Sequence, residues 1–254
     1  MKPSIDLRKP WQRTRWAQAL AIVLGYAAPL AVFFVQLGDP QPKVVGSEAS
    51  SSEGYLFYAG VYTLIVIAIL LLVLRFVCGE KPSSLNLKPG TWWKDLAGGI
   101  ALVGVTLSAR FVFDPIFAKY FHRASDSESG LGDLFSMLAG DPWILALFLG
   151  PILFIGVAGS EELTRIFFIT RWKNISSSRV WLGLGVFLSA FLFGLNHIAQ
   201  GPAGIISVTL SGLIMVLWYL RFGRIFHLII SHYFYDAIQI IVIVNMIQSG
   251  VIQM

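Results

Sequence analysis

Charge is what this chain has least of. Asp, Glu, Lys and Arg make up 13% of its 254 residues, beside 56% hydrophobic residues and a mean hydropathy of +0.72. A soluble domain carries about 25% charged residues, so the deficit points to an integral membrane protein. Cysteine is nearly absent. Cys78 stands alone, which excludes an intrachain disulfide and a cysteine-rich metal site. There is no His-Glu-x-x-His zincin pattern and no Gly-x-Ser-x-Gly elbow. The apolar runs hold no Ser-Lys or Gly-Asp pair of the kind that serine or aspartyl intramembrane proteases use. No period of about 20–50 residues recurs, and no inverted pair of broken helices suggests a secondary transporter. The net charge of +5 is spread over loops rather than gathered in one patch, so no nucleic-acid partner is expected.

What is present is a series of long apolar runs, each near the roughly 20 residues a membrane span needs. They cover 16–37, 54–78, 95–118, 142–172, 180–199, 203–220 and 225–247. The expected fold is all-α, a polytopic membrane helical bundle of about seven transmembrane helices. Lys and Arg follow the runs in alternation: five before the first, then one, four, two, three, none and two in successive loops, and none at the end. Positive charge stays on the cytoplasmic side, so the N-terminus is expected inside. The long run with Pro29 and no small-x-small site reads as a retained span rather than a signal peptide. The compact chain suggests a bacterial inner membrane. The divisions are a basic cytoplasmic N-terminus (1–15), three generic transmembrane helices (16–118), an acidic extracytoplasmic loop (119–141) and a chemically richer unit of four helices (142–254).

The richer unit centres on Gly159-Ser160-Glu161-Glu162-Leu163-Thr164-Arg165. A charged group at a helix centre costs about 2.5–3.5 kcal/mol even on insertion scales. Three such groups in five residues need a purpose. His197, His232 and Asp236 lie at comparable depth by the helical rise, with His197 the outlier near the far end of its run. His232 and Asp236 are four apart and share a face, as do Glu161 and Arg165. Glu161 and Glu162 are about 100° apart, so one is expected to face a site and the other to pair with Arg165 or brace a neighbour. His122 and His227 read as surface and interface residues. Arg110 and Asp114, four apart, read mainly as an intrahelical ion pair. Gly204, Ser207, Ser211 and Gly212 read as a close-packing face.

A buried glutamate, two imidazoles and an aspartate on rigid helices suit hydrolysis by activated water, with an oxyanion stabilised by a histidine and its neighbour. The same donors are compatible with a divalent metal such as zinc, for which Glu161, His197 and His232 are the candidates. Gluing helices together, or lining a proton or ion path, is the competing use.

The set Glu161-Glu162…Arg165, Phe193-x-x-x-His197 and His232-x-x-x-Asp236 resembles the CPBP intramembrane protease family, the Abi or CAAX-protease-and-bacteriocin-processing group, over about residues 140–240. The resemblance implies an intramembrane endopeptidase. In it Glu161 would activate water, His197 would help hold that water, and His232 with Asp236 would form the oxyanion site or complete a metal shell. Substrates would be membrane-embedded or lipid-modified peptides, CAAX-type tails or bacteriocin-related, reached within the lipid bilayer. Whether a metal takes part is open. The family's first motif is Glu-Glu-x-x-x-Arg, whereas here two residues separate Glu162 from Arg165. Alignment on the arginine puts Ser160 at the base position. Alignment on the glutamate pair keeps a base, because serine cannot serve as one, but turns the arginine by about 100°. A catalytically inactive relative with an immunity or scaffold role, and a small transporter, are the alternatives. The enzyme reading requires Glu161, His197 and His232 to meet on one cavity.

Overall fold

The computed structural model describes residues 9–38, 52–85, 87, 91–124 and 131–252. Among these, helices and their connecting turns make up the architecture and no strand occurs. The helices are α1 (Arg15–Gly25), α2 (Ala27–Gly38), α3 (Ser52–Leu72), α4 (Trp92–Tyr120), α5 (Leu131–Gly140), α6 (Pro142–Leu147), α7 (Ser160–Ile175), α8 (Arg179–Leu195), α9 (Gly201–Phe222) and α10 (Ile225–Gln248). Wide π turns extend α3 through Val73–Val77 and join α6 to α7 through Phe148–Gly159.

Among the described residues, five helices are long and apolar enough to cross a membrane, and six if the bent pair α1–α2 counts as one. The expected first span is therefore broken, with a bend of 46°. Pro29 lacks the N–H that would bond to the Gly25 carbonyl four residues back, so the ladder opens where the bend falls. The expected fifth span is short as well: α8 has 17 residues, about 25 Å at 1.5 Å each, less than the roughly 30 Å of hydrocarbon. His197 lies two residues beyond its end, in the turn that leads to α9. The stretch read as an acidic loop, 119–141, also contains a helix. Leu134, Phe135 and Leu138 of α5 are buried against Ile240 and Val244 of α10, a helical spacing of apolar residues that the Ser- and Gly-rich surroundings masked.

The fourth expected span survives as a kinked unit from Pro142 to Ile175. Asp141 caps its start, with Oδ1 accepting from the Trp143 and Ile144 amides at 2.8 and 3.3 Å. Gly150 leaves helical geometry at ψ −107°, as a residue before proline tends to, and Pro151 follows. This break lets the second half of the unit, α7, run into the centre of the bundle.

Small residues set the close contacts. Buried Gly204, Ser207, Ser211 and Gly212 line α9, and a Cβ on Gly212 would lie 3.2 Å from the Ala190 Cα of α8. Close approach of this kind drives helix association where lipid removes the hydrophobic difference. On α4, Gly98 receives the His227 ring of α10; a Cβ there would come within 2.5 Å of it. At the same end Arg224 grips buried Asp95, with Nη2 2.6 Å from both carboxylate oxygens and Nε 2.9 Å from Oδ1. His227 Nε2 lies 3.6 Å from Asp95 Oδ1, and its Nδ1 accepts from the Trp218 indole at 3.1 Å. His227 thus serves a helix junction away from the cavity that holds His197 and His232.

Breaking one partner of a buried pair strands the other charge, a loss of about 3 kcal/mol or more. Asp95→Ala is therefore expected to lower the thermal unfolding midpoint in detergent clearly. Asp95→Asn combined with Arg224→Gln, which keeps shape and removes both charges, should recover most of the loss in the same measurement.

Candidate active site

The site begins with how α7 carries polar groups in an apolar setting. Ser160 donates to the Gly156 carbonyl and Thr164 to the Ser160 carbonyl at 2.8 Å. Hydroxyls bonded back to the preceding turn need no other partner. The two glutamates then diverge as consecutive helical residues must.

Glu162 turns inward and is fully buried. Its Oε2 pairs with Arg165 Nη1, and its Oε1 accepts from His232 Nδ1 at 2.8 Å. Arg165, itself 1% exposed, lays its guanidinium 3.9 Å from the centre of the Phe193 ring and contacts Met215 Sδ at 3.1 Å. Its Nε and Nη2 have no hydrogen-bond partner among the described residues. A desolvated guanidinium on an aromatic face gains about 2 kcal/mol, which offsets part of the cost of burying it.

Phe193 is the hub of the arrangement. The His197 ring centre is 4.9 Å from it and the His232 ring meets it edge-on at 5.9 Å. His197 lies just past the end of α8, where its Nδ1 donates to the Phe193 carbonyl at 3.0 Å. That bond leaves Nε2 as the nitrogen free to accept. The α8–α9 turn holding His197 is itself pinned: the Ala124 amide donates to Gln200 O at 3.2 Å, and the Ala203 amide to His122 O at 3.0 Å.

Glu161 turns the other way, onto a cavity of about 560 Å³ whose walls also carry His197, His232 and Asp236. His232 Nε2 is 3.2 Å from Asp236 Oδ2 and 3.6 Å from Glu161 Oε2. Glu161 Oε2 is buried and has no hydrogen-bond partner among the described residues. All six residues singled out in the sequence thus belong to one assembly. Five of them, Glu161, Arg165, His197, His232 and Asp236, line the cavity, while Glu162 lies behind the lining, paired with Arg165. Phe193, Tyr62 and Asn196, to which the sequence alone assigns no role, also line the cavity. For Phe193 the signal was available, four residues before His197. Tyr62 sits in a featureless apolar run and gave none.

Among the described residues, no group of three or more His, Cys, Asp or Glu side chains is arranged to hold a metal ion. The candidate ligands Glu161, His197 and His232 do not fit one as they stand, because the assembly satisfies His232 with carboxylates on both nitrogens.

The two glutamates should separate in a stability measurement. Glu162→Ala strands Arg165 and is expected to cost about 3–5 kcal/mol, read as a large fall in the detergent unfolding midpoint. Glu161→Gln breaks none of the hydrogen bonds described above and should change stability by about 1 kcal/mol or less.

Comparison with known proteins now bears on the assembly. No curated protein and no solved structure matches this chain. Residues 142–238 match the family model described as Type II CAAX prenyl endopeptidase Rce1-like. The matched segment runs from the start of α6 into α10 and contains Glu161, Glu162, Arg165, Phe193, His197, His232 and Asp236. With the apolar helices, this makes the chain an integral membrane protein whose residues 142–238 are shown to be related to the CAAX-protease family, the grouping that its three motifs resemble.

Proposed function

We propose that this protein is an intramembrane endopeptidase that hydrolyses a peptide bond in a membrane-embedded or lipid-modified peptide, using water activated by Glu161. The observation that carries this reading is the unpartnered Glu161 Oε2 on the cavity wall, 3.6 Å from His232 Nε2. A buried carboxylate oxygen without a donor calls for one, and a water in the cavity is the simplest donor.

In the proposed reaction this water lies between Glu161 and His197 Nε2. Glu161 takes its proton as the oxygen attacks the peptide carbonyl carbon. The single N–H at His232 Nε2, shared with Asp236 Oδ2 at 3.2 Å, stabilises the oxyanion of the tetrahedral intermediate as a bifurcated donor. Glu161 then returns the proton to the departing amine. Glu162 and Arg165 do not touch the substrate. They fix the His232 ring through Nδ1 and the Phe193 platform beneath both imidazoles, and orientation of this kind is worth as much as the groups themselves. The shortened Glu-Glu-x-x-Arg spacing is consistent with that role, since Arg165 reaches Glu162 three residues back.

The family supports a CAAX-type tail as the substrate, and bacteriocin-related membrane peptides are the other class under consideration. The loop charges favour a cytoplasmic N-terminus, and a bacterial inner membrane is the proposed setting. Metal participation forms no part of this mechanism.

The test is cleavage of a fluorogenic, prenylated peptide in nanodiscs. Glu161→Gln should lower kcat by about 10³-fold with the fold intact, and His197→Ala by about 10²-fold, within the usual range for general acid–base groups. Wild-type turnover unaffected by Glu161→Gln would remove Glu161 as the base. A wild type with no cleavage of any peptide in a library would leave the inactive immunity or scaffold reading in its place.

A further inference from the structure

The groups of the proposed reaction come from α7, α10 and the α8–α9 turn, yet a second set of charges reaches them from α4, outside the matched segment 142–238. That set centres on Asp114. Arg110 directs Nε and Nη2 at Asp114 Oδ2, at 2.9 and 2.8 Å, and Arg123 Nη2 lies 3.6 Å from the same oxygen. From this shared oxygen the two arginines lead to different helices. Arg110 stands over the Tyr235 ring of α10, 5.2 Å from its centre. The next residue, Asp236, has Oδ2 3.2 Å from His232 Nε2. Arg123 donates through Nη2 to Ser207 Oγ of α9 at 3.1 Å. Its neighbours on either side hold the α8–α9 turn and the start of α9 through the Ala124 amide to Gln200 O and the Ala203 amide to His122 O. Approach there is close: Gly201 has φ 74°, and a Cβ on it would lie 2.8 Å from the Ala124 nitrogen. His197 sits in that turn.

We infer that Arg110 and Arg123, joined through Asp114, are positioning residues that brace Asp236 and His197 respectively; this rests on the hydrolytic use of those groups proposed above. An i, i+4 ion pair by itself ties only one helix turn to the next. Sharing the carboxylate with Arg123 converts it into a link from α4 to α9 and α10. Helices in lipid have no hydrophobic difference to hold their register, so polar links of this kind help to set it. Arginine suits the task because its planar fork loses little freedom for each bond formed. The Glu162–Arg165 pair fixes His232 from Nδ1. Arg110 acts on the opposite side, through the residue next to the Nε2 partner.

Each arginine can be removed singly without stranding Asp114, which keeps the other. The full chain in nanodiscs, labelled with ¹⁵N-histidine, reports the rings of His122, His197, His227 and His232 separately once each is assigned by its own Gln substitution. Arg110→Gln should shift the His232 ring nitrogens and leave His197 in place. Arg123→Gln should shift His197 and leave His232. His227, which lies at the Asp95 junction, should not move in either. With a fluorogenic prenylated peptide, each variant should lower kcat about ten- to a hundredfold, the scale on which a group misplaced by about 1 Å is felt, with KM unchanged. Absence of these shifts, or shifts that do not follow this division, overturns the inference. So does a loss carried by KM, which would make the arginines ligand contacts. Should the wild type cleave no peptide, the endopeptidase function falls, whereas the ring shifts support or overturn the brace by themselves.

Discussion

Everything at the site depends on one buried ion pair. Glu162 and Arg165 share a helical face three residues apart, and both are removed from water. Two charges are tolerated in such a place only when each is paired and hydrogen-bonded, and here the pair is used to organise its surroundings. Glu162 extends its second oxygen to His232 Nδ1, and Arg165 extends its flat face to Phe193. One electrostatic contact thereby links α7, α8 and α10. Three helices that could slide past one another in an apolar interior acquire a defined rotational register.

The breaks in the helices matter as much as their lengths. Gly150 and Pro151 bend the fourth apolar unit so that α7 penetrates the bundle. The end of α8 at Leu195 leaves His197 in the turn beside the cavity. Pro29 loosens the first apolar run at the turn where Tyr26 packs edge-on against Phe168 of α7. The stacked Trp172 and Trp181, each donating to the other's carbonyl, staple the α7–α8 connection and hold the result.

Charge in the interior is graded by depth of commitment. Glu162 and Arg165 are spent on architecture. Glu161, His197, His232 and Asp236 keep polar atoms toward the cavity. Arg110 and Arg123 share a carboxylate that does not saturate them. The proposed hydrolysis would need this ordering, because a base engaged in a structural ion pair cannot take a proton.

The sequence by itself determined the class of fold and pointed to polar residues that the structure brings together. The charge deficit required a membrane bundle, helical spacing paired His232 with Asp236, and the 100° step between Glu161 and Glu162 required that they divide their work. Tertiary structure decided which glutamate did which. Periodicity states only that two residues diverge, whereas facing partners on α8 and α10 decide the direction each takes. The bend at Tyr26, the short α8 and the helix inside the 119–141 stretch escaped the reading for a related reason. Hydropathy registers how apolar a segment is, but an apolar residue reads the same against lipid as against protein. The role of Arg110 was hidden likewise, since an i, i+4 ion pair looks complete until Arg123, brought close only by the fold, shares its carboxylate.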